Sequence, residues 1–394
     1  MHSYYHDIFT ILRQSLFLNN QENQTVSLSP DWPNIFQELQ AHAVSSLSYT
    51  WLKTHTISDP NIQNKWKTSC LQQQARWLQV MHAQDQLIAL MEQHKIPFVI
   101  IKGAAAMMAY PQPSMRTAGD VDFLVKREDY DKAAIILENN GYHLEQEKNT
   151  DVHHYGYEKN GISFELHKRL AIITNADEKL LTLFEKGIDN REWHKINNFC
   201  FPTLPVDLNG LVLLFHINQH LRGGIGLRQI IDWMMYIYIN QNLNEIIPTL
   251  RITGMEKLAK TVTVMCQKYL GLPKMIEDSN DYPTDELMEY IVNQGNFGQK
   301  DIRKDEKIAK IMYRVHNPLI FFSGLQKGGL NRWQAAQKHK ILRPFAWCYQ
   351  ILSISHELII SKTSPNDISK AILQDTLQHK LIYKLGLDED RNIK

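Results

Sequence analysis

The spacing of apolar residues predicts a long helix, followed by a strand, a turn and a second helix. Between residues 64 and 95 apolar side chains recur at helical intervals on one stripe, formed by Leu71, Ala75, Leu78, Met81, Ile88 and Met91. A short continuous apolar stretch, Phe98 to Ile101, predicts a buried strand. Gly103 then predicts a tight turn, and Ala104 to Ala109 favour a helix because alanine has the highest helix propensity.

Two aspartates stand at the start of the next apolar strand, Val121 to Val125. Side chains alternate between the faces of a strand, so Asp120 and Asp122 share one face, about 6.5 Å apart along the chain. Mg²⁺ takes carboxylate and phosphate oxygens, and a helix that begins at Gly103 would point backbone N–H groups toward the same place. A lone Asp-x-Asp is more often a solvated strand edge. Here the preceding strand, glycine turn and helix favour a site for metal and triphosphate.

A β-hairpin is predicted between Val152 and Leu170. Asn160-Gly161 is a strong two-residue turn signal between alternating strands, and it sets His154 opposite His167. Glu165 lies on the polar face of the second strand and is the candidate for a third carboxylate. The two histidines beside Glu165 could bind a transition metal, but cross-strand polar pairs are adequate as structure, so zinc is not predicted.

A second informative motif is a helix, a glycine-rich turn and another helix. Leu211 to His220 and Leu227 to Tyr238 predict the helices, and three glycines between them would let the backbone approach a ligand closely. Arg222 and Arg228 flank this turn and could meet phosphate or base. The alternative for Arg228 is an exposed ion pair with Asp232, one turn later on the same helix.

His216 and His220 lie one helical turn apart, which is a spacing found in metal sites. The glutamate that zinc proteases place between two such histidines is missing. We therefore expect this pair to take part in helix packing or in an active-site hydrogen bond, rather than in metal binding.

Four ordered motifs resemble a known family. They read KGAAAMMAYP, R-x-x-G-D-V-D-F-L-V, FELHKRL and HINQHLRGGIGLRQIIDW, and lie within about residues 85 to 240. They are similar to the uncharacterised nucleotidyltransferase family of the DNA polymerase beta superfamily. The resemblance implies an α/β (α+β) core of polymerase-beta type with a mixed sheet. In that core Gly103 marks the phosphate-binding turn, Asp120 and Asp122 hold magnesium, and Glu165 is the third carboxylate.

The chain departs from the superfamily pattern at two positions. Gly103-Ala104 stands where a Gly-Gly or Gly-Ser pair is usual, which removes a possible hydroxyl contact to phosphate. Many relatives have aspartate in the place of Glu165.

The reaction expected from the resemblance is transfer of a nucleoside monophosphate from an NTP, with ATP as the expected one, and release of pyrophosphate. The acceptor would carry a hydroxyl group and be a small molecule, a peptide or a glycan. Mg²⁺, or Mn²⁺ in its place, would be held by the catalytic residues Asp120, Asp122 and Glu165. The expected nucleotide contacts are Lys102, Gly103, Ala104, Arg116, Arg222 and Arg228. An RNA-directed nucleotidyltransferase of toxin type and a non-catalytic nucleotide-binding protein are the alternatives.

Composition agrees with an ordinary globular protein. With 394 residues, of which 43% are hydrophobic, the chain can bury a large core and form two or three domains. A formal net charge of +1 provides no overall field for a long nucleic acid, so nucleic acid is not favoured as a partner. The start of the chain resembles neither a signal peptide nor a membrane span, and a cytoplasmic location is expected. The four scattered cysteines, Cys70, Cys200, Cys266 and Cys348, are expected to be reduced and mostly buried.

The predicted organisation has three parts: an N-terminal helical region at 1–90, a nucleotidyltransferase core at 91–205 and a C-terminal helical domain at 206–394. Within the last part, residues 278–305 are polar and predict a flexible, solvated excursion. Residues 319–329 and 345–360 are apolar but interrupted by polar residues, and they predict core helices rather than a membrane-surface segment.

Overall fold

The computed structural model of the chain describes residues 2–17, 26, 30–145, 154–170, 177–241, 243–300 and 365–387. By its internal contacts the chain divides into two units, one of Met1–Gln299 with Ile382–Lys394 and one of Lys300–Leu381. Two parts of the second unit are described: Lys300, and most of a helix at Pro365–Lys384. The last residues of that helix, from Ile382, belong to the first unit. The core helices predicted at 319–329 and 345–360 lie outside the described residues. The three-part division at 90 and 205 stays a prediction.

The helices and strands of the first unit follow one another in a mixed order. The strands are β1 (Phe98–Ile101), β2 (Val121–Val125), β3 (His143–Leu144), β4 (His154–Lys159), β5 (Ile162–His167), β6 (Glu192–Ile196) and β7 (Phe199–Thr203). The helices are α1 (Tyr4–Leu16), α2 (Trp32–Ala41), α3 (Tyr49–Leu52), α4 (Pro60–Gln93), α5 (Gly103–Met107), α6 (Tyr130–Asn139), α7 (Glu178–Asp189), α8 (Val206–Gly223), α9 (Leu227–Asn240), α10 (Leu243–Ile252), α11 (Glu256–Leu270) and α12 (Thr284–Gln294).

A five-stranded sheet in the order β1-β2-β5-β4-β3 forms the core. β2 and β5 run parallel, and the other neighbours are antiparallel, so the predicted mixed sheet is confirmed. The hairpin is confirmed as well: Asn160 and Gly161 have φ values of 54° and 72°, as a tight two-residue turn requires, and His154 lies opposite His167. β6 and β7 form a separate antiparallel ribbon, and β7 lies beside β1.

The two faces of the sheet differ in character because side chains alternate along each strand. One face is fully apolar and packs into the core with residues of α4 and α6; its side chains include Phe98, Ile100, Val121, Phe123, Phe164 and Leu166. The other face carries Asp122, Glu165 and His167, which lie next to one another across the β2–β5 pair. The alternation predicted for the two strands is therefore confirmed.

Helix α4 starts after Asp59, whose carboxylate accepts hydrogen bonds from the backbone N–H groups of Asn61 and Ile62. The predicted helix is confirmed, and the predicted stripe is confirmed in its second half, where Met81, Ile88 and Met91 are buried. It is wrong at Leu71 and Leu78, which are 53% and 48% exposed; in the first half of the helix Trp66, Cys70 and Trp77 are buried in their place. Burial of an indole ring removes more apolar surface from water than burial of a leucine, and this decides which side of the helix faces inward.

The predicted polar excursion at 278–305 is also wrong over much of its described part. Thr284–Gln294 form α12, and Leu287, Met288 and Ile291 on this helix are completely buried. A short 3₁₀ turn, Asn296–Gly298, follows the helix. Apolar residues at helical spacing within the polar sequence provided the signal for α12, while residues 301–305 lie outside the described part of the chain.

Of the cysteines, Cys70 and Cys266 are buried and Cys200 is exposed, while Cys348 lies outside the described residues. Among the helices that the structure describes, none has both the length and the apolar character needed to span a bilayer.

A buried ionic network joins the core to α9. The guanidinium of Arg116 donates to both carboxylate oxygens of Asp232, at 2.6 and 2.7 Å, and the Tyr110 hydroxyl donates to Asp232 Oδ1 at 2.7 Å. All three residues are buried. Arg116 was expected to contact phosphate, but its two-pronged pairing with Asp232 gives it a different partner, so that expectation is corrected. The network fixes the loop before β2 against α9.

We expect Asp232→Asn to lower the free energy of unfolding by about 3 to 5 kcal/mol, because it leaves the buried Arg116 cation without a counter-charge. Urea denaturation measures this loss. The matched control is Asp285→Asn, which removes the charge of an exposed aspartate paired with Lys268 and should change stability little. Equal loss in the two variants would contradict the structural role given to Asp232.

Candidate active site

Three carboxylates converge at the polar face of the sheet. The parallel register of β2 and β5 places Asp122 directly opposite Glu165, and Asp120 lies two residues before Asp122, at the entry to β2. Asp122 is buried, and the other two are half-buried. Burial and the negative charge of Asp122 raise the pKa of Asp120. Carboxylates held together in this way repel one another, so the arrangement requires positive charge.

Lys102 supplies part of this positive charge. Its Nζ lies 2.6 Å from Asp122 Oδ1 and 3.8 Å from Glu165 Oε2. Burial alone would lower the pKa of Lys102, but Asp122 and Glu165 outweigh it, and the pKa is raised. The backbone of Lys102 has a φ of 54°, a region that residues with a β-carbon seldom occupy, between the end of β1 and the start of α5. Strained backbone of this kind is common at functional sites, and here it turns the lysine toward the carboxylates.

His167 connects two of the carboxylates. Its Nε2 lies 3.0 Å from Asp122 Oδ1 and 3.1 Å from Glu165 Oε2. Burial opposes protonation, but these two contacts raise the pKa of His167. The pKa of Glu165 is lowered: burial would raise it, and the hydrogen bond from His167 and the charge of Lys102 more than offset that effect. Glu165 is therefore ionised.

His154 completes a second possible ligand group. One ligand atom from each of His154, Glu165 and His167 lies within 4.8 Å of the others, so the three could hold a metal ion. Burial lowers the pKa of His154, which favours the neutral imidazole that metal ions bind. The group shares Glu165 with the carboxylate site, and it is therefore part of the same centre.

The turn after β1 lies against the aspartates. Gly103 begins α5, and a β-carbon on it would meet Asp120 O at 3.7 Å. This is the place predicted for a phosphate-binding turn. The methyl group of Ala104 packs into the core, which leaves its backbone as the part suited to contact a ligand.

Arg228 lies beside the carboxylates but forms no ion pair with a carboxylate in the described part of the chain. It lines one pocket with Asp120 and Glu165 and is 8% exposed. Its Nε is buried, and no residue in the described part of the chain accepts a hydrogen bond from it. Burial and the charge of Arg116 lower the pKa of Arg228. Among the described residues Arg228 forms no ion pair with Asp232, whose oxygens accept from Arg116 and Tyr110, so the exposed ion pair considered as the alternative is not formed, and Arg228 is a buried cation suited to an anionic ligand.

Arg222 is engaged elsewhere. Helix α8 continues through Gly223, which places Arg222 on the helix rather than in the turn. Its guanidinium donates to Asn218 Oδ1 at 2.7 Å and to the backbone oxygen of Leu387 at 2.9 Å. The structure therefore does not bring Arg222 to the carboxylates, and the expectation that it contacts the nucleotide is corrected. Its role is to join α8 to the C-terminal segment of the unit.

The glycine-rich turn approaches protein backbone and not a ligand. A β-carbon on Gly224 would lie 2.1 Å from Gly298 N, and one on Gly226 would lie 2.8 Å from Asn296 Cα. The close approach predicted from the glycines is thus present, but it is made to the 3₁₀ turn after α12. At both positions the space beside the Cα atom holds a hydrogen but not a methyl group, so only glycine fits.

His216 and His220 form a hydrogen-bonded pair. Their Nε2 atoms are 2.8 Å apart, and His220 Nδ1 lies 3.1 Å from Gly224 O. Because Nδ1 must donate to that carbonyl, neutral His220 accepts at Nε2 from His216. Burial is the main reason that the pKa of His220 falls to about 4 and that the pKa of His216 is lowered well below its usual value; the charge of Lys102 lowers both. The pair fits the expected hydrogen-bonding role.

Two residues that line the pocket, Glu145 and Phe297, were not predicted from the sequence. Glu145 lines the pocket of Arg228, and a β-carbon on Gly156 would lie 3.0 Å from Glu145 Oε2. The signal that could have found it was Gly156 itself, since a glycine opposite Glu165 leaves room for another side chain. Phe297 lines the same pocket, but it lies in the segment interpreted as solvated, where no sequence signal singled it out.

Comparison with known proteins shows the family of the chain. The model of a family described as uncharacterised nucleotidyltransferase matches residues 29–271, which is more than half of the chain. The resemblance predicted from the four motifs is thereby confirmed. A comparison with curated proteins finds no match. The matched range includes the three carboxylates, Lys102 and Arg228, and it ends before Phe297.

We expect Arg228→Met to weaken the binding of ATP in the presence of Mg²⁺ by about 1 to 3 kcal/mol, the range for a charge-assisted contact. The same variant should not lower the melting temperature of the ligand-free protein, because it removes a buried cation that lacks a paired carboxylate. Calorimetric titration and thermal melting measure the two effects. Arg222→Met is the matched control and should leave affinity unchanged; equal loss of affinity in both variants would argue against a specific phosphate contact.

Proposed function

Because the chain belongs to the uncharacterised nucleotidyltransferase family, we propose that it transfers a nucleoside monophosphate from an NTP to an acceptor hydroxyl and releases pyrophosphate. The observation that carries the proposal is the β2–β5 register, which sets Asp122 against Glu165 with Asp120 two residues earlier. Lys102 and Arg228 at the same face supply positive charge for a polyanionic substrate. ATP is the proposed nucleotide.

The donor set fits a divalent metal ion. Three carboxylates at one strand pair provide the oxygen ligands that Mg²⁺ and Mn²⁺ prefer, and the ammonium of Lys102 at 2.6 Å from Asp122 shows that this position attracts a cation. Asp120, Asp122 and Glu165 would hold the metal. When bound, it would draw electron density from the α-phosphate and lower the pKa of the acceptor hydroxyl.

The side chains of the chain itself would perform the remaining steps. Arg228 would bind the phosphates, since it is a buried cation at the pocket that also holds Asp120. Lys102 would exchange its contact with Asp122 for a phosphate oxygen once another cation neutralises that carboxylate. The turn at Gly103 places the start of α5 next to the backbone of Asp120, where its N–H groups could contact a phosphate.

The chemical step is a displacement at phosphorus. The acceptor oxygen forms a bond to the α-phosphorus while the bond from that phosphorus to the bridging β-phosphate oxygen breaks, and the bond electrons leave with pyrophosphate. The hydroxyl proton passes to a carboxylate. Glu165 is the proposed proton acceptor: it is ionised, and it would become a stronger base when Lys102 moves to a phosphate oxygen, because the charge of Lys102 helps to lower its pKa.

Polar groups in the pocket support a hydroxyl-bearing acceptor. Glu145, just after β3, His154 on β4 and Ser163 on β5 line the pocket together with Glu165, and they provide hydrogen-bond acceptors and donors. A small molecule, a peptide or a glycan would meet this requirement. An RNA acceptor is an alternative outcome of the assay described next, recognised by a product that is sensitive to ribonuclease.

We expect Asp120→Asn and Asp122→Asn each to abolish nucleotidyl transfer, because each removes a charge that the metal requires. The measurement is pyrophosphate release from the four NTPs with Mg²⁺, using cell extract as the source of acceptor. Mg²⁺ and ATP together should raise the melting temperature of the parent and not of the variants, as ligand linkage requires. Asp285→Asn serves as the control, and undiminished activity in either active-site variant would refute the proposal.

Glu165→Gln should lower turnover more than it lowers ATP affinity, since Glu165 is assigned to proton transfer and metal positioning. Steady-state kinetics on the identified acceptor, combined with ATP titration, separate the two effects. If affinity and turnover fall equally, Glu165 acts in ground-state binding. If the variant loses a tightly bound transition metal, His154, Glu165 and His167 form a metal site of their own.

A further inference from the structure

Phe297 has an unusual backbone conformation. Its φ and ψ are 53° and 27°, in the left-handed region, where a bulky side chain is seldom found. The residue lies in the 3₁₀ turn after α12, between Gly295 and Gly298, which also have positive φ values. A conformation of this kind costs free energy and persists where the surrounding structure imposes it.

The glycine-rich turn between α8 and α9 imposes this conformation. Any side chain on Gly224 would collide with the backbone of Gly298 and of Phe297, whose carbonyl carbon would be 2.7 Å from the new β-carbon. The side chain of Gln229 at the start of α9 donates to Asn296 Oδ1 at 2.8 Å. The turn and the first turn of α9 thus both contact the 3₁₀ turn, and together they position the ring of Phe297.

The ring of Phe297 stands at the pocket of the carboxylates. The Arg228 guanidinium carbon lies 5.4 Å from the ring centroid, and the ring of His220 meets it edge-on at 5.0 Å. Phe297 lines the pocket with Asp120 and Glu165, yet it remains 46% exposed. A strained aromatic ring that its neighbours position and that is 46% exposed at a charged pocket presents apolar surface to a ligand.

We propose that Phe297 is the platform on which the nucleobase of the bound NTP stacks, with the triphosphate held by the neighbouring Arg228. Aromatic side chains stack on any nucleobase because every base has a π-face, and an arginine beside the ring strengthens such a site. Phe297 and Arg228 line the same pocket as Asp120 and Glu165, so one ligand can contact the ring, the guanidinium and the carboxylates together. The inference rests on the proposed function and adds to it the part of the pocket that binds the base.

The experiment compares ATP with inorganic tripolyphosphate, which carries the phosphates without the base. Both are titrated calorimetrically, with Mg²⁺, into the full-length parent and into Phe297→Ala, Phe297→Leu and Phe297→Tyr. The alanine and leucine variants should bind ATP between about fivefold and a hundredfold more weakly, the range for loss of one stacked base, and bind tripolyphosphate as the parent does. The tyrosine variant should retain ATP affinity because it keeps the ring.

Trp193→Ala is the matched control, since Trp193 is an aromatic of similar exposure, 49%, on the β6–β7 ribbon. It should leave both affinities unchanged. Undiminished ATP affinity in the alanine and leucine variants would overturn the inference, and so would equal losses for ATP and tripolyphosphate, because the ring would then act only by supporting Arg228. Neither outcome would affect the proposed function, which fails instead if the parent binds neither compound.

Discussion

Repulsion between carboxylates governs the organisation of the site. The parallel pairing of β2 with β5 brings Asp122 and Glu165 side by side, and Asp120 adds a further negative charge at the entry to the same strand. Positive groups therefore surround this face: Lys102 ion-pairs with Asp122, and His167 bridges Asp122 and Glu165. These contacts keep Glu165 ionised. Without them, part of the carboxylate group would take up protons and lose its attraction for cations.

The sequence was sufficient to predict the sheet and the position of its charged residues. The apolar stretches before and after Gly103, the Asn160-Gly161 turn and the alternation along β5 all depend on local rules, and the structure follows them. The cross-strand position of His154 follows from the turn alone. The pairing of β2 with β5 is not a local property, since about forty residues separate the strands, and it was not predicted; the family resemblance implied a mixed sheet and Glu165 as the third carboxylate.

Predictions that depended on local spacing failed where a distant residue competed. Asp232 was a natural i,i+4 partner for Arg228, but Arg116 binds both of its oxygens, and the sequence contains no signal for a contact across more than a hundred residues. On α4 the leucines at 71 and 78 had the right spacing, and two tryptophans determined the buried side instead. The glycines between α8 and α9 correctly indicated a close approach, but the approaching group could not be identified from spacing. Which of several candidate residues forms a contact depends on the tertiary structure, and spacing along the chain does not determine it.

The contact between Gly224 and Gly298 also has a mechanical consequence. Two backbones that touch with no side chain between them cannot slide or separate without leaving a gap that water must fill. We therefore expect the turn joining α8 to α9 and the end of α12 to move as one body, with Arg228 and Phe297 keeping their present separation of 5.4 Å. If the pocket opens to exchange ligands, the hinge must lie outside this body, and the two residues would arrive at a ligand at the same moment.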